Sequence, residues 1–275
     1  MVLKTRVRSP PPPPFYRMNR GALYIATKLE DSNPHAKRGD MLKMALHSID
    51  SLKKVSNLPI TLFTNMLCDR TDINVVQIES LNTERDYSKD KIFYMQQTPY
   101  ESTIFLDVDT EVLEDPEPLF DAHYDFCMPY APKCDWEKKV WYGYGYSYST
   151  GTFLYNKNQI TDLIFKRSKE RYRQMEMDPD ANIENKKNWL CDQTALDRTI
   201  KQGITSLGAI VKPLHPRWLG IPPVVQFVDN VATFHAKNLH KWRKWLVERR
   251  TQWTMENDTL LDDLLLWDKQ HKIHK

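Results

Sequence analysis

Thr103-Ile104-Phe105-Leu106-Asp107-Val108-Asp109-Thr110 is an apolar run that ends in two carboxylates one residue apart. Short apolar runs are the mark of buried strands, and an abrupt Asp-x-Asp at the end of one puts negative charge where the ligand crevice of an open α/β sheet lies. Such a pair suits one divalent cation. In a regular strand residues two apart share a face at about 7 Å, so both carboxylates reach one cation only if the chain bends or a water intervenes. Without its context the same stretch is also a plain strand followed by an acidic turn, since Glu111, Glu114, Asp115 and Pro116 continue its polar character.

Three apolar runs precede it, at 22–26 (stopping at Thr27), 60–63 and 73–78. Asp40 stands in an N-cap position before Leu42, Ala45, Leu46, Ile49 and Leu52, a spacing that lines one helical face. Residues 89–97 read as another helix. Strands alternating with helices predict a mostly parallel sheet covered on both faces. Farther on, 124–128 and 152–155 read as strands separated by a Gly- and Tyr-rich loop at 141–148, and helices are expected at about 159–175 and 191–201. Short strands follow at 224–228 and 231–234, the second ending at His235, and basic or amphipathic helical segments at about 239–250 and 258–270 close the chain. Residues 1–19, with Lys4, Arg6, Arg8 and Arg17 around Pro10 to Pro14, form a basic, proline-rich tail that favours a solvated polyproline II spacer.

With 275 residues, 41% of them hydrophobic and 27% charged, the chain can bury a sizeable core. A net charge of +3 does not argue for nucleic acid, and none is expected as a partner. The basic clusters at 166–173 and 241–250 read as solvated helix faces. No apolar run reaches the roughly 18 residues of a membrane span, and no signal-peptide segment opens the sequence, so a cytoplasmic location is expected. Cys68, Cys127, Cys134 and Cys191 show no C-x-x-C spacing, which argues for neither a zinc site nor a disulfide framework. Trp242, Trp245, Leu246 and Arg249 have the spacing of core packing and equally of a basic amphipathic face for peripheral membrane contact.

Several segments in order resemble the GT-A glycosyltransferases, closest to the glycogenin-like and lipopolysaccharide galactosyltransferase-like group. They are the first run ending Ala26-Thr27, the strand ending Asp107-Val108-Asp109, the turn Ser149-Thr150-Gly151 before Thr152-Phe153-Leu154-Tyr155, and Asp192-Gln193-Thr194-Ala195-Leu196. His235, Asn238 and Lys241 add a fifth match, at the offsets where that family has a metal-completing histidine, a small residue and a lysine that reaches the donor diphosphate. Asn238 replaces the more usual glycine.

The resemblance covers roughly residues 21–245. It implies a GT-A domain over 20–275, a Rossmann-like, mostly parallel sheet flanked by helices with a smaller mixed region on the acceptor side. Its parts would be a donor half at 20–128, an acceptor side with the metal-completing segment at 129–255, and a C-terminal helix at 256–275. The implied activity is transfer of a sugar from a nucleoside diphosphate sugar, a UDP-sugar by resemblance, to a hydroxyl on a glycan or other acceptor, with retention. The implied metal ligands are Asp107, Asp109 and His235. An imidazole beside carboxylates moves preference away from magnesium, so manganese is expected, with magnesium the alternative.

Resemblance assigns Ala26 and Thr27 to the nucleotide base, Val108 to the ribose, and Gly151, Asn238 and Lys241 to the donor. Lys91 would approach its phosphates or sugar. It assigns Asp192 and Gln193 to the transferred sugar as catalytic residues, with no dedicated nucleophile. Taken alone, Asp192 also reads as a helix N-cap. The 141–148 segment reads either as an aromatic acceptor platform or as a tyrosine-rich hairpin. Two other functions stay open: a haloacid-dehalogenase-type phosphatase using Asp107 and Asp109 of an Asp-x-Asp-x-Thr motif, and a nucleotide-sugar-binding module without turnover.

Overall fold

The computed structural model describes residues 18–29, 40–83, 88–135, 140–178, 191–215, 218 and 233–235. In chain order the elements are β1 (Met18–Ala26), α1 (Met41–Val55), β2 (Ile60–Thr64), β3 (Asn74–Gln77), α2 (Lys89–Tyr94), β4 (Tyr100–Leu106), β5 (Thr110–Val112), β6 (Phe126–Met128), β7 (Tyr130–Asp135), β8 (Val140–Tyr148), β9 (Thr152–Asn156), α3 (Gln159–Met177), α4 (Asp192–Leu207), β10 (Val211–Pro213) and β11 (Thr233–His235). The central sheet has seven strands in the order β10-β6-β9-β4-β1-β2-β3. All neighbours pair in parallel except β9, which runs antiparallel to both β4 and β6.

The strands are apolar on both faces because each serves two cores. Side chains two apart share a face, so Ala22, Tyr24 and Ala26 of β1, Ile60 and Leu62 of β2, and Ile104 and Leu106 of β4 meet Ala45, Ile49 and Leu52 of α1. The intervening Leu23, Ile25, Phe63 and Phe105 meet Ile92, Ile164, Phe165, Leu196 and Ile200 from α2, α3 and α4. Each fully buried aliphatic or Phe side chain contributes about 2 kcal/mol. Gly21 permits a close approach between β1 and the Tyr100 side chain, since a Cβ there would run into the ring of buried Tyr100 on β4.

The helix ends follow from local chemistry. Asp40 caps α1 as its sequence position predicts, accepting from Lys43 N–H at 3.0 Å. Asn158 and Thr161 form a reciprocal capping box at α3. Helix α4 ends at Gly208, whose φ of 67° suits a residue without Cβ.

Several expectations need correction. Of the loop and hairpin readings of 141–148 the loop is overturned and the hairpin holds: β8 pairs antiparallel with β7, from Tyr130 opposite Tyr148 to Asp135 opposite Val140. The N-cap of α4 is Cys191, whose Sγ accepts from Thr194 N–H at 3.4 Å, and Asp192 is the first helical residue. The acidic turn after Asp109 contains β5, which pairs with β11 so that His235 stands opposite Thr110. Strand β10 was not anticipated, because three residues with a proline carry no strand pattern. The predicted strand at 224–228, the helices at 239–250 and 258–270, and residues 1–17 of the tail lie outside the described residues.

Candidate active site

Strand β4 lies mid-sheet between β1 and β9 and stops at Leu106. The chain then turns, with Thr110 N–H donating to Asp107 O at 3.2 Å. This is the bend that lets an Asp-x-Asp pair face one ligand. Val108, only 6% exposed, packs into the α1-side core and anchors the turn from inside. Asp107 N–H donates to Gly151 O at 2.8 Å, which ties the turn to the start of β9.

Lys91 reaches this turn from α2. Its Nζ lies 2.7 Å from Asp107 Oδ1 and 2.9 Å from Asp192 Oδ2, and 4.9 Å from the centre of the Phe105 ring. Burial opposes the ammonium charge, but the Asp107 and Asp192 carboxylates outweigh it and hold the Lys91 pKa above its ordinary value. The ammonium thus joins two segments 85 residues apart in sequence, a strand-end turn and a helix start. Asp192 is further fixed by Thr150, whose hydroxyl donates to its Oδ2 at 2.5 Å, and by its own N–H, which donates to Ser88 Oγ at 3.1 Å. Ser88 Oγ in turn lies 3.3 Å from the buried Tyr172 hydroxyl of α3.

Ser88, Lys91, Asp107, Thr150 and Asp192 border a cavity of about 250 Å³, just below the roughly 300–1,000 Å³ usual for small-molecule sites. Its polar lining includes Asp90, Lys91, Asp107, Asp109, Thr150, Asp192 and Gln193. Its apolar lining includes Ile25, Leu29, Met41 and Met44, with Thr27 just after β1. Thr27 Oγ1 accepts from Asn82 Nδ2 at 3.1 Å, and Asn82 also donates to the buried Asp90 at 2.8 Å. Asp90 accepts from Ser80 Oγ and Leu81 N–H as well, so its carboxylate is spent on shaping the wall. Burial, with Asp192 alongside, pushes the Cys191 thiol up to about 11.

Of the residues singled out in the sequence, Thr27, Lys91, Asp107, Val108, Asp109, Gly151, Asp192 and Gln193 all line this cavity. Ala26 does not; strand alternation turns it into the α1-side core. Strand β11 brings the backbone of His235 opposite Thr110, one residue from Asp109, while the His235 imidazole, Asn238 and Lys241 lie outside what is described. Sequence reading missed Ser88, Asp90, Met41 and Met44, which carry no motif. Thr150 was legible only as part of a turn.

The donor set suits a hard divalent cation: two carboxylates on one turn, with a strand ending in histidine paired beside it. Among the described residues no three His, Cys, Asp or Glu side chains form a group that could hold a metal ion.

The fold occurs in known proteins. In fold the chain is similar to the galactosyltransferase LgtC in complex with donor and acceptor sugar analogs (TM-score 0.51, 14% identity, 87% of this chain and 98% of that one). It is also similar to an active-site mutant of LgtC that has glutamate in place of a glutamine (TM-score 0.50, 16% identity, the same coverage). The fold is GT-A. No protein-family model matches the sequence, and neither does any curated protein. At these identities a GT-A likeness speaks for architecture, and the reaction has to be argued from the site.

Proposed function

We propose that this chain is a glycosyltransferase that moves a sugar from a nucleoside diphosphate sugar, a UDP-sugar, to an acceptor hydroxyl on a glycan, with retention of configuration and with manganese as its metal. The observation that carries the reading is the joining of Asp107 and Asp192 across one ammonium, in a cavity at the carboxyl ends of β1 and β4 on a GT-A sheet. The charge balance supports a metal. Among the described residues, the carboxylates Asp90, Asp107, Asp109 and Asp192 border the cavity with the Lys91 ammonium, and a cation would offset the repulsion they exert on a diphosphate.

Asp107 and Asp109, with His235 on the neighbouring strand, would hold that cation. When bound, it supplies Lewis-acid stabilisation of the charge that develops on the departing diphosphate. Lys91 offers a second positive charge to the same oxygens, and Lys241 a third. Asp192 and Gln193 take the sugar: the carboxylate can hold hydroxyls and stabilise positive charge at the anomeric carbon. Leu29, Met41 and Met44 give the base an apolar wall near Thr27. LgtC, similar in fold, is a galactosyltransferase whose structure holds donor and acceptor sugar analogs, which supports a sugar-transfer reading of this cavity. The phosphatase reading has no such support, because the Asp-x-Asp strand is the fourth along the chain and its sheet neighbour β9 is antiparallel.

Hydrolysis of UDP-sugars with manganese tests the proposal, water serving as acceptor. Asp109→Ala and Asp192→Ala should each lower the rate at least about a hundredfold. Binding of UDP without turnover of any sugar donor would favour the binding-module reading instead.

A further inference from the structure

Helix α4 grips the chain segment 148–151 twice. Its first residue, Asp192, accepts from the Thr150 hydroxyl at 2.5 Å. Asp197, later on the same helix and only 6% exposed, accepts from the Tyr148 backbone N–H at 2.7 Å through Oδ1, while its Oδ2 takes Lys201 Nζ at 2.9 Å. Between these two grips the segment closes the cavity: Ser149, Thr150 and Gly151 all line it, Ser149 N–H donates to Pro129 O at 2.8 Å, and Gly151 O accepts from Asp107 N–H at 2.8 Å. A carboxylate outside the cavity therefore fixes one end of a short span whose other end sets both Asp107 and Asp192.

We propose that Asp197 is a positioning residue for the transfer step. By holding Tyr148 it fixes the distance between the carboxylate on the diphosphate side, Asp107, and the carboxylate on the sugar side, Asp192. The inference rests on the glycosyl-transfer reading above. Tyr148 also ends β8, so the same bond anchors the hairpin β7–β8 against α4. The role belongs to the hydrogen bond and not to the charge: an amide oxygen at 197 can also accept from Tyr148 N–H, and Lys201, 39% exposed, pairs with the outer oxygen. Misplacement of reacting groups by about 1 Å costs on the order of a hundredfold in rate, whereas donor affinity is spread over many contacts.

The experiment compares the wild-type protein with Asp197→Asn, Asp197→Ala, Asp197→Glu and Lys201→Ala. UDP affinity with manganese is measured by calorimetry, and hydrolysis of UDP-galactose or UDP-glucose by UDP release. Asp197→Asn and Lys201→Ala should stay within threefold of wild type in both. Asp197→Ala should keep UDP affinity within threefold, which also reports a folded protein, and lose at least tenfold in kcat. If that variant does not fold, Asp197→Glu, which shifts the carboxylate by one methylene, carries the same expectation. Equal kcat for Asp197→Ala and wild type, or equal losses in Asp197→Asn and Asp197→Ala, would overturn the inference. A wild-type protein that neither binds UDP nor hydrolyses either sugar would instead overturn the glycosyltransferase reading beneath it.

Discussion

Lys91 is where the site's electrostatics concentrate. It is 13% exposed and lies between Asp107 and Asp192, which are 24% and 11% exposed, so its removal leaves two half-desolvated carboxylates facing each other. Lys91→Met should cost roughly 3 kcal/mol at neutral pH, read from urea unfolding. The linkage has a definite sign: with its folded pKa raised, Lys91 contributes fully below its unfolded value of 10.5 and loses that contribution as pH rises through the folded value. Cysteine reactivity gives a second residue-scale check. Burial pushes Cys127 up to about 12 and Cys191 up to about 11, while Cys68 is half-buried. Iodoacetamide at pH 8 should label Cys68 well before the other two, as resolved by peptide mass spectrometry; early labelling of Cys191 would contradict the closed cavity wall. Asp107, Asp109 and Asp192 were legible in the sequence because carboxylates at a strand end, or before a helical pattern, stand out. Ser88 and Asp197 were not, since their partners are a backbone N–H and a hydroxyl from segments far along the chain.

At the scale of elements, what the sequence revealed were those elements whose periodicity and caps agree. Strands β1, β2 and β4 are apolar runs, and α1 couples an Asp40 cap to a regular apolar face. Strands β5 and β10 escaped notice because three-residue strands with acids or proline have no readable period. Segment 141–148 left loop and hairpin both open because glycine and tyrosine alternate where apolar residues would mark a strand, and its pairing with β7 decides for the hairpin. Cys191 was missed as a cap because a thiol is a poor relative of the usual Ser, Thr, Asp and Asn. Two substitutions probe this level. Asn158→Ala removes both the capping box of α3 and a 2.7 Å bond to Asp125, and should cost about 1–2 kcal/mol in urea unfolding. Gly21→Ala should cost about 1–3 kcal/mol, because the Tyr100 ring is buried and held by Thr61 at 2.8 Å.

Across the whole molecule, two cores on opposite faces of one sheet leave its carboxyl edge as the place where α1, α2, β4 and α4 converge, and there the cavity lies. Those cores also set the alkaline limit of stability. Buried Tyr24 and Tyr155 are pushed well above the ordinary phenol value of 10.0, and the two buried thiols above 9.0. The native state therefore keeps protons that the unfolded chain releases. Stability from these groups is intact below about pH 9 and should fall steadily above it, seen as a urea midpoint that declines between about pH 9 and pH 11. The central claim is that an acidic cavity on a GT-A sheet accepts a nucleoside diphosphate by way of a divalent cation. Calorimetric titration of UDP tests it most directly: binding should be readily measured with manganese and lost with EDTA or in Asp109→Ala. UDP binding of equal strength with and without the metal, or none in either condition, would contradict the account.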